Sequence, residues 1–415
     1  MRVLLLTDSY PPEVRSASHL MFELAQGLRE RKHDVAVVTT FPRYNLVTGV
    51  TWPKARFASV SVERGVHVVR VKALPLHNVG PVLRGVGQLG LALSMMVGGL
   101  LAGPADVMLA YSPPLTMAVA TRFLSRLKGA PYLLNVQDLF PQNAIDLGVL
   151  KGPFPIRFFE RMESWVYEKA ALITVHSEGN ARHISAKTGN PSQLKVVHNW
   201  VDLDEYSRTT GGEAFRARQG LDGKFLVLFA GVMGYAQDLE VVIDAANVLR
   251  TCQDIVFILA GDGVEKPMLM EKARKLSLQN VKFLPFVSKE DYPGLVAAAD
   301  VGLVTLKQSM RTPVVPSKIL GYMAASKPFV ASLNPESDAN RMIEESGCGV
   351  SVPPGEPLAM ARAIEQLFRS TDVARGMGVR GRAYAEHHFS KVKAIDRYDS
   401  LLSNLAMHTT RWSRC

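Results

Sequence analysis

Three stretches of the chain combine residue types and spacings that could do chemistry. The most pointed is Arg311-Thr312-Pro313-Val314-Val315-Pro316-Ser317-Lys318, which leads into an apolar helical pattern. Pro316 and Ser317 are helix-start residues, and a helix N-terminus with a lysine in its first turn is suited to hold a diphosphate. Arg311 is a candidate second clamp, and a surface lysine without a ligand is the competing reading. The second stretch is a pair of glycine turns, Gly231-Val232-Met233-Gly234 and Gly261-Asp262-Gly263, each directly after an apolar run. Glycine there lets a phosphate approach backbone N–H groups, although glycine also ends strands for steric reasons alone. Their recurrence at two strand ends is more informative than either turn by itself. The third is Asn135-Val136-Gln137-Asp138-Leu139-Phe140-Pro141. Asp138 reads either as a carboxylate at a strand end, able to bind a hydroxyl or assist proton transfer, or as the N-cap of a short helix.

The commonest nucleotide motifs are missing. The first strand-to-helix turn, Thr7-Asp8-Ser9-Tyr10-Pro11-Pro12-Glu13-Val14-Arg15-Ser16, contains no glycine, which disfavours an NAD or FAD site there, and no Walker A pattern occurs. A dinucleotide-dependent oxidoreductase is therefore set aside.

These stretches need strands and helices to position them. Arg2 to Thr7 reads as an apolar strand, Ser16 to Arg31 as a helix with a stripe at Leu20, Leu24 and Leu28, and Val35 to Thr39 as a second strand. This βαβ opening implies a parallel sheet with right-handed crossovers. Strands are also expected at Val66 to Val71, Val107 to Ala110, Tyr132 to Val136, Leu172 to Val175 and Lys195 to Val197. The pattern pauses at His198-Asn199-Trp200-Val201-Asp202 and restarts after the polar stretch Ser207 to Asp222. Strands then follow at Phe225 to Ala230, Ile255 to Ala260, Val281 to Leu284, Val301 to Val304 and Phe329 to Ala331. Helices are expected at Asp238 to Arg250, Pro267 to Leu276, Asp291 to Ala298, Ser317 to Ala325 and Leu358 to Phe368. The fold class is thus α/β with two successive open parallel sheets, expected to face each other across a cleft. In such sheets ligands bind at the carboxyl ends of strands.

Length and charge agree with two lobes. At 415 residues the chain exceeds what one core usually supports. Residues 1–200 carry 22 Lys+Arg against 13 Asp+Glu, whereas residues 201–415 carry 26 against 25. The basic first half points to an anionic partner: nucleic acid, an acidic substrate or an anionic membrane face. Cys252, Cys348 and Cys415 have neither disulfide nor metal spacing, which suits a reducing cytoplasm. Met1 to Thr7 reads as a strand and not as a signal peptide. From Gly85 to Ala105 the chain has no charged residue, so this segment reads as a buried helix, a helix lying on a membrane surface, or a span.

Taken in order, Tyr-Pro-Pro-Glu after the first strand, Gln-Asp-Leu-Phe-Pro, His-Asn-Trp-Val-Asp, Ala-Gly-Val-Met-Gly, Ala-Gly-Asp-Gly and Val-Pro-Ser-Lys-Ile-Leu-Gly-Tyr-Met-Ala resemble glycosyltransferase family 4 across essentially the whole chain. The branch it looks like is the WbuB-like one that builds surface polysaccharides. The resemblance implies a GT-B architecture of two Rossmann-like domains. Residues 1–200 would form an acceptor domain, with 391–415 packing back on it, and residues 201–390 a nucleotide-sugar domain. It further implies a retaining, metal-independent transferase that uses no cofactor and takes a UDP-sugar, an N-acetylhexosamine or deoxy relative. The acceptor would be a lipid-linked or nascent saccharide at the inner membrane face, so the anionic partner is a membrane surface and not nucleic acid. The location would be cytoplasmic and peripheral.

Carried over onto this sequence, the donor side comprises Gly231 to Gly234, Gly261, Gly263, Pro285, Phe286, Arg311, Ser317 and Lys318. Asp138 and Lys318 are the catalytic candidates, and Pro12, Glu13 and Arg15 lie on the acceptor side. The chain departs from the family at several points. Two glutamates with seven residues between them are replaced by Pro313 and Gly321, a basic pair after the second lobe's first strand by Val232 and Gln237, and the first-turn glycines by Arg15-Ser16. Glycine inside a helix costs about 1 kcal/mol relative to alanine, so Gly321 is the least expected of these. The alternative it raises is a catalytically impaired protein that serves as a partner or scaffold in polysaccharide assembly.

Overall fold

The computed structural model describes residues 1–13, 15–42, 57–73, 81–188, 190–207 and 211–412. Residues 208–210 of the polar stretch at the lobe junction, and Cys415, lie outside them. The chain divides into two compact units. One comprises Met1–Ile145, Leu150–Asn199 and Val392–Cys415, and the other Asp146–Val149 and Trp200–Lys391.

The first unit opens with β1 (Arg2–Leu6), α1 (Ser16–Glu30) and β2 (Asp34–Thr40). A hairpin follows, β3 (Ala58–Glu63) and β4 (Val66–Val71), then α2 (Pro81–Leu101), β5 (Val107–Ser112), α3 (Leu115–Lys128) and β6 (Tyr132–Val136). The unit continues through α4 (Gln142–Asp146), α5 (Pro153–Lys169), β7 (Leu172–Val175), α6 (Glu178–Thr188) and β8 (Leu194–Val196). Its eight strands run β3-β4-β2-β1-β5-β6-β7-β8. All neighbours are parallel except the β3–β4 hairpin, whose turn places Arg64 and Gly65 at φ of 47° and 79°. Two successive positive φ values give the turn whose twist matches a right-twisted ladder. Strands β1, β5 and β6 are buried along their length apart from Arg2, and mostly apolar, because helices cover both faces.

Right-handed crossovers decide which face each helix covers. The step from β1 to β2 runs in the opposite direction along the sheet from the steps β4 to β5, β5 to β6 and β6 to β7. Helix α1 therefore lies on one face, and α2, α3 and α5 lie together on the other.

The second unit contains α7 (Leu203–Ser207), α8 (Gly211–Gln219), β9 (Phe225–Ala230), α9 (Leu239–Val248), β10 (Ile255–Ala260), α10 (Lys266–Lys275) and β11 (Val281–Leu284). It continues with α11 (Tyr292–Ala298), β12 (Val301–Thr305), α12 (Lys318–Ala324), β13 (Phe329–Ser332), α13 (Asp338–Ser346), β14 (Gly349–Val352), α14 (Pro357–Arg369) and α15 (Thr371–His388). Its six strands are parallel in the order β11-β10-β9-β12-β13-β14. Strands β9 and β10 are buried throughout and lie between two apolar clusters, one on each side of the sheet.

The last helix, α16 (Lys391–Trp412), groups from Val392 onward with the first unit. Arg31 Nε donates to Asp396 at 2.9 Å, His33 Nε2 lies 2.7 Å from Asp399, and Tyr398 is buried beneath β6. The charge-free segment forms most of α2. Among the described residues no helix is long and apolar enough to cross a membrane. Met95 and Leu91 of α2 are buried while Leu89 and Leu93 are exposed, so the helix is not enclosed on all sides.

Candidate active site

In the second unit the candidate donor residues are built on the carboxyl ends of β9, β10, β11 and β12. Gly231, at φ 146°, follows β9, and Gly261 and Gly263, at φ 143° and 154°, follow β10. The two turns extend the sheet's pairing beyond its strands: Gly231 N donates to Ala260 O at 2.9 Å, Met233 N to Asp262 O at 2.8 Å, and Glu265 N to Met233 O at 3.1 Å. A Cβ on Gly261 would stand 1.9 Å from Gly231 O, and one on Gly263 would stand 2.3 Å from Met233 O. These two glycines are therefore required by turn-on-turn packing, whatever a ligand adds. Met233 is buried in the core with its N–H and carbonyl both used in this packing, while Val232 is exposed and Gly234 half-buried.

Lys318 lies across the first of these turns. A Cβ on Gly231 would come within 2.8 Å of Lys318 Cε, so glycine there leaves the lysine its path. Its Nζ donates to Gln237 Oε1 at 3.0 Å and lies 4.8 Å from the Phe229 ring centre. The side chain is half-buried at its surface but closely crowded by protein, and desolvation lowers its pKa to about 8. It is thus still a cation at neutral pH, short of hydrogen-bond acceptors and beside a sheet end where anions bind. Helix α12 has only seven residues and the Ser317 side chain accepts no capping bond, so the charge of Lys318 matters more here than the helix dipole.

Pro285 and Phe286 follow β11 directly and sit beside the second turn, since Gly261 N donates to Leu284 O at 3.1 Å. Arg311 is exposed on the loop after β12. That loop is held from below: Asn334 Nδ2 donates to the carbonyls of Lys307, Gln308 and Met310, and Ser337 Oγ donates to Val314 O at 2.6 Å. Thr312 Oγ1 is buried on it without a hydrogen-bond partner among the described residues.

One residue here, Lys307, escapes a motif reading. Lys307 N donates to Ala236 O at 3.0 Å, and Lys307 Nζ lies 3.5 Å from Glu265 and 5.9 Å from the ring centre of the exposed Tyr235. Nothing local marks it, because the sheet order, not the sequence, brings β12 beside β9. Gln237 stands where a basic residue is usual in the resembled family, and it is the group that holds Lys318.

Gly321 has a packing reason. A Cβ there would lie 3.1 Å from the Tyr206 hydroxyl and 3.7 Å from the Tyr292 ring, so α12 meets α7 and α11 closely and a longer side chain would have to displace the Tyr206 hydroxyl.

In the first unit, Asp138 follows β6 and is open to solvent. Helix α4 does not begin until Gln142, so Asp138 does not cap it. Surrounding protein raises its carboxyl pKa by desolvation, and the cation of Arg15 opposes the rise. Arg15 also lies 3.7 Å from Asp8, and Tyr111, buried at the end of β5, has its phenol pKa raised first by burial and then by Asp138 and Asp8. A cation between two carboxylates thus marks the ends of β1, β5 and β6. Glu13 is buried and accepts from Ser9 Oγ at 2.8 Å, which turns it into the loop, and Pro12 is half-buried.

The backbone before Asp138 is braced. Gln137 Nε2 donates to Asn135 Oδ1 at 2.9 Å, Asn199 Nδ2 to Gln137 Oε1 at 2.7 Å, and Asn135 Nδ2 to the Tyr398 hydroxyl of α16 at 3.0 Å. His176 Nε2 lies 3.0 Å from Gln137 O.

Residues 19–200 match the glycosyl transferase 4-like domain, and residues 224–370 match glycosyl transferases group 1. The chain belongs to glycosyltransferase family 4. It is similar to a probable glycosyltransferase WbjE of Pseudomonas aeruginosa, 28% identical over 71% of this chain and 73% of that protein. It is also similar to the putative colanic acid biosynthesis glycosyl transferase WcaI of Escherichia coli, 25% identical over 96% and 98% of the two chains. Among solved structures it resembles Anabaena Alr3699/HepE in complex with UDP and glucose, with a TM-score of 0.73 at 19% identity over 97% of this chain and 100% of that one. The transferase therefore has the GT-B fold, built from two Rossmann-like domains with parallel sheets.

Proposed function

We propose that this transferase moves a sugar, an N-acetylhexosamine or deoxy relative, from a UDP-sugar to a lipid-linked or nascent saccharide in surface-polysaccharide biosynthesis, with retention at the anomeric carbon and without a metal. One observation carries the reading: Lys318 is a crowded cation held over a pair of interlocked glycine turns at the strand ends of one sheet. The likeness to a UDP complex supports the nucleotide, and the likeness to a colanic acid transferase supports the polysaccharide setting.

In this reading the glycine turns at Gly231 to Gly234, Gly261 and Gly263 let the diphosphate approach the strand ends closely, with Ser317 and Arg311 beside it, while the N–H groups of Gly231, Met233 and Gly261 stay engaged in the turn packing. Pro285 and Phe286 meet the base. As the bond from the anomeric carbon to the phosphate oxygen breaks, that oxygen gains negative charge, and Lys318 stabilises it, which is where electrostatic help is worth most. Asp138 accepts a hydrogen bond from a reacting hydroxyl and orients it. Arg15, Pro12 and Glu13 form the acceptor side, of which Arg15 alone presents a charged group, since Glu13 is turned inward. The basic first unit works in the cytoplasm at the anionic inner face of the membrane.

Close packing around Gly321 supports activity over the scaffold reading, because it accounts for the glycine without a loss of function. The experiment is turnover of a panel of UDP-, GDP- and dTDP-sugars, with Asp138→Ala as control. Hydrolysis or transfer from a UDP-sugar that disappears in the variant is the expected result; no turnover of any donor would leave the scaffold reading in place.

A further inference from the structure

We propose that the outer surface of the α2–α3–α5 layer is a docking face for an anionic lipid bilayer, with apolar side chains entering the acyl boundary and arginines at the headgroups. This rests on the membrane setting proposed above and assigns it to particular residues.

The three helices form one surface. Gln88 on α2 accepts from the Thr116 hydroxyl on α3 at 2.9 Å, a Cβ on Gly99 would meet Leu124 at 2.3 Å, and Lys128 donates to Gly103 O. Helices α2 and α3 therefore run side by side in the same direction, with small residues letting α2 press close. Phe123 of α3 lies 6.5 Å from Trp165 of α5, ring centre to ring centre, which joins the third helix.

The outward residues of this layer are unusual for a water-facing surface. On α2 they are Leu89, Leu93, Val97, Leu100 and Leu101, spaced at helical intervals, with Leu93 64% exposed. A surface helix ordinarily shows polar residues on its outward face. Beside them α3 exposes Phe123 and Leu127, and α5 exposes Phe154, at 86%, and Phe158. Scattered apolar residues need no explanation, but a run over three adjacent helices marks an interaction site.

Charge identifies the occupant. Helix α3 carries Arg122, Arg126 and Lys128 and no acidic residue. Helix α5 adds Arg157 and Arg161 against exposed Glu160 and Glu168, while its third acid, Glu163, is buried and paired with Lys187 at 2.7 Å. Apolar side chains at the centre with basic ones among and beside them match the interface of an anionic bilayer, where each nearby Lys or Arg contributes about 1 kcal/mol.

The test is co-sedimentation of the full chain with phosphatidylcholine vesicles, with and without about 30% phosphatidylglycerol, at low salt. The native chain is expected to bind the anionic vesicles preferentially. Leu93→Glu combined with Leu127→Glu should lower binding at least about tenfold, and Arg126→Glu with Arg157→Glu should abolish the preference for anionic lipid. All four positions are exposed, so folding is preserved, and UDP binding measured on the same variants should be unchanged. The proposal is overturned if the native chain binds neither vesicle, if the variants bind as it does, or if it forms a dimer that Leu93→Glu dissociates, which would make the face a self-interface. Loss of UDP binding in the native chain would count against the transferase reading and leave the vesicle result standing.

Discussion

Lys318 and Gln237 are joined by a 3.0 Å hydrogen bond across the turn that follows β9, so among the described residues one amide oxygen accepts from a lysine whose pKa burial lowers to about 8. A cation in that position has more donors than acceptors, and a diphosphate oxygen supplies what is lacking.

Removing the charge should weaken donor binding. A charge-assisted hydrogen bond contributes about 1.5–3 kcal/mol, so Lys318→Ala is expected to bind UDP roughly 10- to 100-fold less tightly, with Lys318→Arg between it and the native chain. Titration calorimetry reads both values.

The same lysine sets a pH dependence with two opposite signs. Its pKa falls from 10.5 unfolded to about 8 folded, so between these values the unfolded state binds more protons and stability without ligand rises with pH. UDP affinity, which needs the ammonium form, should fall over the same interval. Thermal unfolding with and without UDP from pH 7 to about 10 checks this; parallel trends would remove Lys318 from the donor site.

Asp138→Asn should separate chemistry from donor binding. The expected result is a kcat loss of about a hundredfold with UDP affinity unchanged, because the carboxylate belongs to the first unit and its proposed role is on a reacting hydroxyl. Steady-state kinetics with a soluble acceptor measures it.

Gly261→Ala tests the turn packing. With a Cβ 1.9 Å from Gly231 O and a φ of 143°, alanine should destabilise by about 3 kcal/mol or more, a drop of roughly 6–12 °C in Tm. Gly321→Glu should also destabilise, since Tyr206 and Tyr292 occupy the space the side chain needs. A stable Gly321→Glu protein with tighter UDP binding would instead show that the glutamate usual in the family at this position can be restored to the nucleotide.

Much of this was legible in the sequence. Uninterrupted apolar runs such as Phe225–Ala230 and Ile255–Ala260 identify buried parallel strands, and both have the expected boundaries. The edge strand Ala58–Glu63 escaped because its outward residues alternate with polar ones and its partner lies across a two-residue turn. Helices α3 and α5 were not anticipated either, and their exposed phenylalanines blur the periodicity that would reveal them. For the candidate site, Gly231, Gly261 and Lys318 were visible as residue types at strand and helix ends. Lys307 was not, because its neighbours Tyr235 and Glu265 lie on the turns that follow β9 and β10, which the sheet order brings beside the end of β12. Nor does the sequence show that Glu13 folds onto Ser9, or that tyrosines 206 and 292 account for Gly321.

The central claim is that the second unit's glycine turns and Lys318 form the donor site. Calorimetric titration of UDP into the native chain and into Lys318→Ala at pH 7 tests it most directly. The account predicts binding by the native chain and a loss of about 10- to 100-fold in the variant. Equal UDP affinity in the two proteins would contradict it.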